Sequence, residues 1–147
     1  MRYLLFLMFV VASILPIGYI VVNTQADEKF EARLSIAPVD AVTARTTSGS
    51  GSVEAVLMDN TLFITGVFEG VSSPSVAAHI HVAPKGLRGP VAFNLSISEN
   101  ATGTLRGRLE LNETEINELR DGRYYVQVHT ERNPDGEIRG WLLKEEF

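Results

Sequence analysis

Residues 124–141 read YYVQVHTERNPDGEIRGW, and their alternation decides the fold class. Tyr125, Gln127 and His129 interleave with Tyr124, Val126 and Val128, the period-two signature of a strand with two unlike faces. One face is apolar and the other carries His129. Asn133-Pro134-Asp135-Gly136 then supplies turn chemistry, with proline pre-setting φ at the second position and glycine easing the exit. Glu137-Ile138-Arg139-Gly140-Trp141 begins a second alternating run, so the stretch predicts a hairpin. Its partner is Ala77–Val91, AAHIHVAPKGLRGPV. His79 and His81 are two apart and leave one face of a strand, while Ala78, Ile80 and Val82 leave the other. All 3 histidines of the chain lie in these two stretches.

Working outward, Phe30–Ile36 alternates and reads as a first strand stopped by Pro38. Ser48–Ser52 has linker composition, but strand signals on both sides predict a surface loop rather than a domain boundary. Ser52–Met58 and Leu62–Val71 form a pair of strands turned at Asp59-Asn60. Val76–Val82, Val91–Ile97 and Thr104–Leu111 add three more, with a Gly/Pro/Lys/Arg loop at Pro84–Pro90. The one helical signal is Asn112–Arg120, capped by Asn112 with Glu115 or by Thr114 with Glu118, with Ile116 and Leu119 inward and a stop at Asp121-Gly122. About eight short strands and one helical turn predict an all-β fold, an antiparallel Greek-key-like β-sandwich.

Of the 147 residues, 45% are hydrophobic and 21% charged, ordinary values for a globular chain long enough to close one core. The net charge of −5 repels phosphate backbones, so nucleic acid is not an expected partner. With no cysteine, disulfide frameworks and thiolate metal sites are excluded.

Residues 3–22 are uncharged and strongly apolar, behind Arg2 and ahead of Asp27-Glu28. Residues 1–26 therefore predict a hydrophobic helix that is either a signal peptide, with cleavage before Asp27, or an uncleaved signal anchor holding the protein to a membrane. Either way the domain of residues 27–147 is expected outside the cytoplasm, secreted, periplasmic or at the cell surface. Asn94, Asn100 and Asn112 each begin an N-glycosylation sequon.

His79-Ile80-His81 followed by Gly86, Gly89 and Pro90-Val91, and then Gly122, Tyr125-Val126, Val128-His129-Thr130, Pro134 and Gly136-Glu137-Ile138-Arg139-Gly140, closely resemble the CHRD domain. The resemblance runs from about Phe30 to Leu143. The family was first named in chordin, where such domains accompany modules that bind secreted growth factors, and it is common in exported microbial proteins. It thus implies an extracellular binding module. Three positions depart from the usual pattern: Gln127 stands for an asparagine, Ala83 for a glycine, and Trp141 takes a place often polar.

Imidazole is the commonest side-chain ligand of Zn and Cu, and two histidines at i, i+2 share an ion when a third approaches from a neighbouring strand. His79, His81 and His129 are therefore the candidate metal ligands, for Cu or Zn. The alternative is a non-metal module, with the histidines hydrogen-bonding on a polar sheet face and an extracellular protein as partner. A redox metalloenzyme is a third reading. Glu137 is a candidate oxygen ligand or an acceptor that orients an imidazole N–H. Arg139, on the same face, is expected to bridge a loop carboxylate or carbonyls with its fork, and Gln127 lies between the histidine positions. No carboxylate pair, nucleophile elbow or phosphate loop accompanies them, which favours binding over turnover.

Overall fold

The computed structural model describes residues 26–36, 41 and 43–145. The predicted N-terminal helix and Pro38 lie outside these residues. Among the described residues no helix is long and apolar enough to cross a membrane. In chain order the elements are β1 (Glu28–Ile36), a 3-10 turn (Thr43–Arg45), β2 (Ser50–Met58), β3 (Thr61–Glu69), β4 (Ser75–Val82) and β5 (Val91–Ile97). Then come β6 (Gly103–Glu110), α1 (Glu113–Arg120), β7 (Tyr124–Thr130), β8 (Ile138–Trp141) and β9 (Leu143–Lys144).

Every strand pairing is antiparallel, and the order β2-β3-β6-β5-β4-β7-β8-β1 closes on itself through β1–β2. The fold is thus a closed barrel, which corrects the sandwich expected from the sequence. The reason lies in β1. It pairs with β2 from Glu28 to Leu34 on one side, and on the other with β8 at Ser35 and Ile36 and with β9 at Phe30 and Glu31. β8 and β9 keep one register against β1, so they are two halves of a single strand interrupted at Leu142. A sandwich and a barrel show the same alternation along each strand. They differ only in whether the first strand meets the last, and closure leaves no open edge. Strands β4, β5 and β6 form a meander with β7 returning beside β4, the spatial order of a Greek key.

The inward residues fill the barrel. Phe30, Leu34, Leu57, Leu62, Ile64, Ile80, Leu105, Val126, Val128 and Ile138 are all buried in one core. An eight-stranded barrel is just wide enough for side chains to fill it. Small inward residues therefore alternate with these large ones. At Gly107 an added Cβ would stand 2.5 Å from Leu95 Cδ2, and at Gly140 2.3 Å from the carbonyl oxygen of Arg33. Ser50 and Gly51, expected in a loop, belong to β2. Gly51 is held there because a Cβ would stand 2.4 Å from the Val67 carbonyl oxygen.

Asp59 and Asn60 make the expected two-residue turn, with Asp59 at φ 54. α1 begins at the Asn112 cap, whose side chain accepts from Glu115 N while the Glu115 carboxylate accepts from Asn112 N. The reciprocal pair satisfies two of the otherwise orphaned donors at the helix start. Leu119 is buried beneath the helix, which crosses from β6 to β7. Glu28 binds Arg120 and Lys144, tying β1 to α1 and β9.

Candidate metal centre

The outward face of β4, β7 and β8 is not a solvated face. All seven residues of β7 are buried, including the outward-pointing Tyr125, Gln127 and His129. Cross-strand pairing lays these side chains in rows. His129 is opposite Ala77, His79 is opposite Gln127, and Gln127 is opposite Arg139. His81 is opposite Tyr125, which is opposite Trp141. The loop at 83–90 and the turn at 131–136 flank these rows.

The turn Asn133–Gly136 forms as its sequence predicts, with Gly136 N donating to Asn133 O at 3.0 Å. It then aims two further carbonyls at the strand beneath it. Pro134 O is 2.8 Å from His129 Nδ1, and Asp135 O accepts from Gln127 Nε2 at 3.0 Å. Gly136, at φ 109, sits so close to Gln127 that a Cβ would be 2.2 Å from Nε2. Proline's fixed φ and the close glycine thus set where the His129 ring is held.

His81 is held in the same way by the other loop. Its Nδ1 is 2.9 Å from Gly89 O, and its ring stacks on Tyr125 with centroids 4.9 Å apart and planes at 7°. The Tyr125 hydroxyl accepts from Gly89 N at 3.1 Å, which locks loop and ring together. Only glycine fits at position 89, because a Cβ would lie 1.8 Å from Val82 O.

A carbonyl oxygen accepts but cannot donate, so Nδ1 of His81 and of His129 is the donor, and in the neutral ring that tautomer leaves the lone pair on Nε2. His79 Nδ1 lies 3.1 Å from His129 Nε2. His81 Nε2 is buried with no hydrogen-bond partner. The three residues can offer ligand nitrogens that all lie within 4.8 Å of one another. His81 and His129 are buried, and His79 is half-buried. Burial holds the His79 and His129 pKa values below the usual imidazole value. The neighbouring imidazoles push the same way, and the Pro134 carbonyl opposes this at His129. Neutral, deprotonated nitrogens are what a metal ion requires.

The other candidate residues are placed differently. Glu137 is fully buried, and its Oε1 accepts from Ser48 N and Ser72 N at 2.9 and 2.7 Å while Oε2 accepts from Thr130 Oγ1 at 2.6 Å. Its bonds tie three segments together and none goes to an imidazole: His81 and His129 meet loop carbonyls, and His79 meets His129. Among the described residues Arg139 bridges no carboxylate. Its guanidinium carbon sits 5.6 Å from the Tyr125 ring centre and 5.3 Å from that of Trp141. Gln127 is the brace under the turn. The sequence reading missed Gly89, Pro134 and Tyr125 as the groups that orient the histidines. Glycine in the loop after H-x-H and proline in the turn after His129 were the available signal.

No curated protein and no solved structure matches the chain. The family model of the CHRD domain matches residues 30–142. The match spans nearly all of the barrel, both histidine stretches and their loops, and the chain belongs to the CHRD domain family.

Proposed function

We propose that this domain is an exported binding module that holds one Cu or Zn ion through His79, His81 and His129. The observation that carries the reading is the pair of carbonyl-anchored imidazoles whose Nε2 atoms converge with His79, that of His81 being buried and without a hydrogen-bond partner. A buried polar atom without a partner costs about 1–3 kcal/mol, which a bound ion would offset. Two nitrogens on one tetrahedral ion at about 2.0–2.1 Å stand about 3.3 Å apart, close to the 3.1 Å between His79 and His129. His81 Nε2 has only to close the rest of the distance.

The family and the uncharged segment at residues 3–22 support an extracytoplasmic place, with that segment serving as leader or membrane anchor. Asn94, Asn100 and Asn112 are exposed and open to glycosylation in a host that glycosylates exported proteins. A second reading is favoured by the same 3.1 Å contact. As a hydrogen bond it fastens β4 to β7 without metal and leaves a protein-interaction module.

Calorimetric titration of the metal-stripped protein with Zn and with Cu decides between them. At pH 7.5 saturable binding with one ion per chain is expected. It weakens at pH 5.5 because imidazoles titrate near about 6.5, and it is lost in His129→Ala. Absent binding at pH 7.5, or binding unchanged by the substitution, eliminates the metal centre.

A further inference from the structure

The converging histidines offer one ligand fewer than a tetrahedral ion takes. Among the described residues the group that can reach one ion holds His79, His81 and His129 and no carboxylate. The other polar groups of this face are engaged elsewhere, Glu137 by Ser48, Ser72 and Thr130, Gln127 by Asp135 O, and the Tyr125 hydroxyl by Gly89. Structural zinc sites fill all four positions with protein ligands, whereas three protein ligands leave a place for water or substrate. Imidazoles ligate in their neutral form, so they cancel none of the ion's charge. A partly buried charge without a counter-charge is costly, which favours an anion in the remaining place.

Burial shows from which side that place is reached. The outward residues of β7 are all buried, but on β5 the outward Asn94 and Ser96 are exposed, so nothing covers the cluster on that flank. Asn94 is directly opposite His79, the least buried of the three histidines. Directly opposed residues hold their Cβ atoms about 4.5–5.5 Å apart on one face. Ala77, opposite His129, is too small to close the way between them. The β4–β5 register slips between Ile80 and His81, a bulge of the kind found beside functional sites. Asp135, whose charge acts on His129, is exposed in the turn on the other flank.

We propose that the metal centre keeps one open coordination position, reached over β5 beside Asn94, and that this position takes a small monodentate anion. The inference rests on the three-histidine reading above and adds what the held ion would bind. Asn94 brings an amide N–H to the mouth, where it can donate to an anion that an imidazole-only site could not otherwise orient. The loop at 83–90 and the turn at 131–136 wall the other sides, which restricts the occupant to a few atoms.

The test uses the full-length, metal-stripped protein in mild detergent, loaded with copper(II), which binds nitrogen sites more tightly than the other divalent first-row metals. The loaded protein is titrated with sodium azide at pH 7.5 and followed by visible absorption. A saturable azide-to-copper band is expected, with the copper still on the protein after gel filtration. Asn94→Asp, at an exposed position and checked for an unchanged melting temperature, should hold copper at least as well as wild type. It should bind azide about tenfold more weakly, because a carboxylate fixed at the mouth repels the anion or takes its place. Thr65→Asp adds the same charge on the exposed face of β3, away from the histidines, and should bind azide as wild type does. Copper bound without an azide band, or copper carried off by azide, overturns the open position and leaves the three-histidine site standing. Equal azide affinity in wild type and Asn94→Asp overturns the approach over β5. If the stripped protein takes up no copper, the metal centre and this inference fall together.

Discussion

His79 Nδ1 stands 3.1 Å from His129 Nε2 across the β4–β7 pair, although the two residues are not directly opposite each other. His129 faces Ala77, and the small alanine leaves room for the imidazole to lean toward its diagonal neighbour. Diagonal neighbours on an antiparallel pair are within reach of long or aromatic side chains. His129 is held from behind by Pro134 O, and among the described residues the His79 ring hydrogen-bonds to His129. The cluster is therefore unequal, with two fixed imidazoles and one that adapts.

That inequality predicts an order in the substitutions. In the proposed metal centre, His81→Ala and His129→Ala each remove an imidazole whose direction is set by a loop carbonyl, so little affinity should survive. His79→Ala removes the ligand held less firmly and should retain more. Melting temperatures with Zn in excess measure this. For wild type, ligand at 100 times Kd adds about 2.7 kcal/mol of stability, and the shift should shrink least in His79→Ala.

Gln127→Ala tests the brace beneath the turn. Its Nε2 bond to Asp135 O, with the tight approach of Gly136, holds the segment from which Pro134 O reaches His129. Losing a group that orients a ligand costs roughly 10- to 100-fold in metal affinity. The expected outcome is weaker binding with the fold retained by circular dichroism. Unchanged affinity would show that the turn holds its place without the brace.

Gly140→Ala probes closure of the barrel. The added Cβ would stand 2.3 Å from the carbonyl oxygen of Arg33 and 3.3 Å from Leu34 Cδ2, in the seam where β8 meets β1. Backbone cannot yield as a flexible side chain does, so the variant should lose about 1–3 kcal/mol by overpacking. Urea denaturation measures it, with Val128→Ala, a truncation in the same core, as a comparison of similar size.

Strands, hairpin turns and the helix cap were legible because each is written locally, in period-two alternation, in Asn133-Pro134-Asp135-Gly136 and in the Asn112 and Glu115 pair. Convergence of the three histidines was legible for the same reason, since i, i+2 spacing fixes a shared face. Barrel closure was not, because nothing in Glu28–Ile36 or Ile138–Trp141 alone says that these two strands pair. The burial of β7 on both faces also escaped. Alternation marks Tyr125, Gln127 and His129 as the polar side, but the covering loops at 83–90 and 131–136 read in sequence only as surface turns. For Arg139 the local reading gave a polar strand residue, and only the fold shows the aromatic walls around it.

Glu137 yields the acid dependence of stability. Burial alone would raise its pKa, but the bonds from Thr130, Ser48 and Ser72 outweigh it and hold the group below the usual carboxylate value of 4.5. The folded state thus binds this proton less readily than the unfolded chain. The stability it contributes is complete above the unfolded pKa of about 4.5 and is lost as the pH falls through the folded value. Glu137→Gln keeps the shape but has no carboxylate to protonate, and it turns an amide N–H toward donors that need an acceptor. The variant should be less stable at pH 7 by about 2–4 kcal/mol, the scale of hydrogen bonds to a buried charged acceptor. Glu28, held low chiefly by Arg120, remains in both proteins, so the comparison isolates Glu137. Urea denaturation of wild type and variant at pH 7, 4 and 3 should show the gap narrowing as the pH falls below about 4.5. A gap of constant size across that range would mean that Glu137 titrates alike in the folded and unfolded chains.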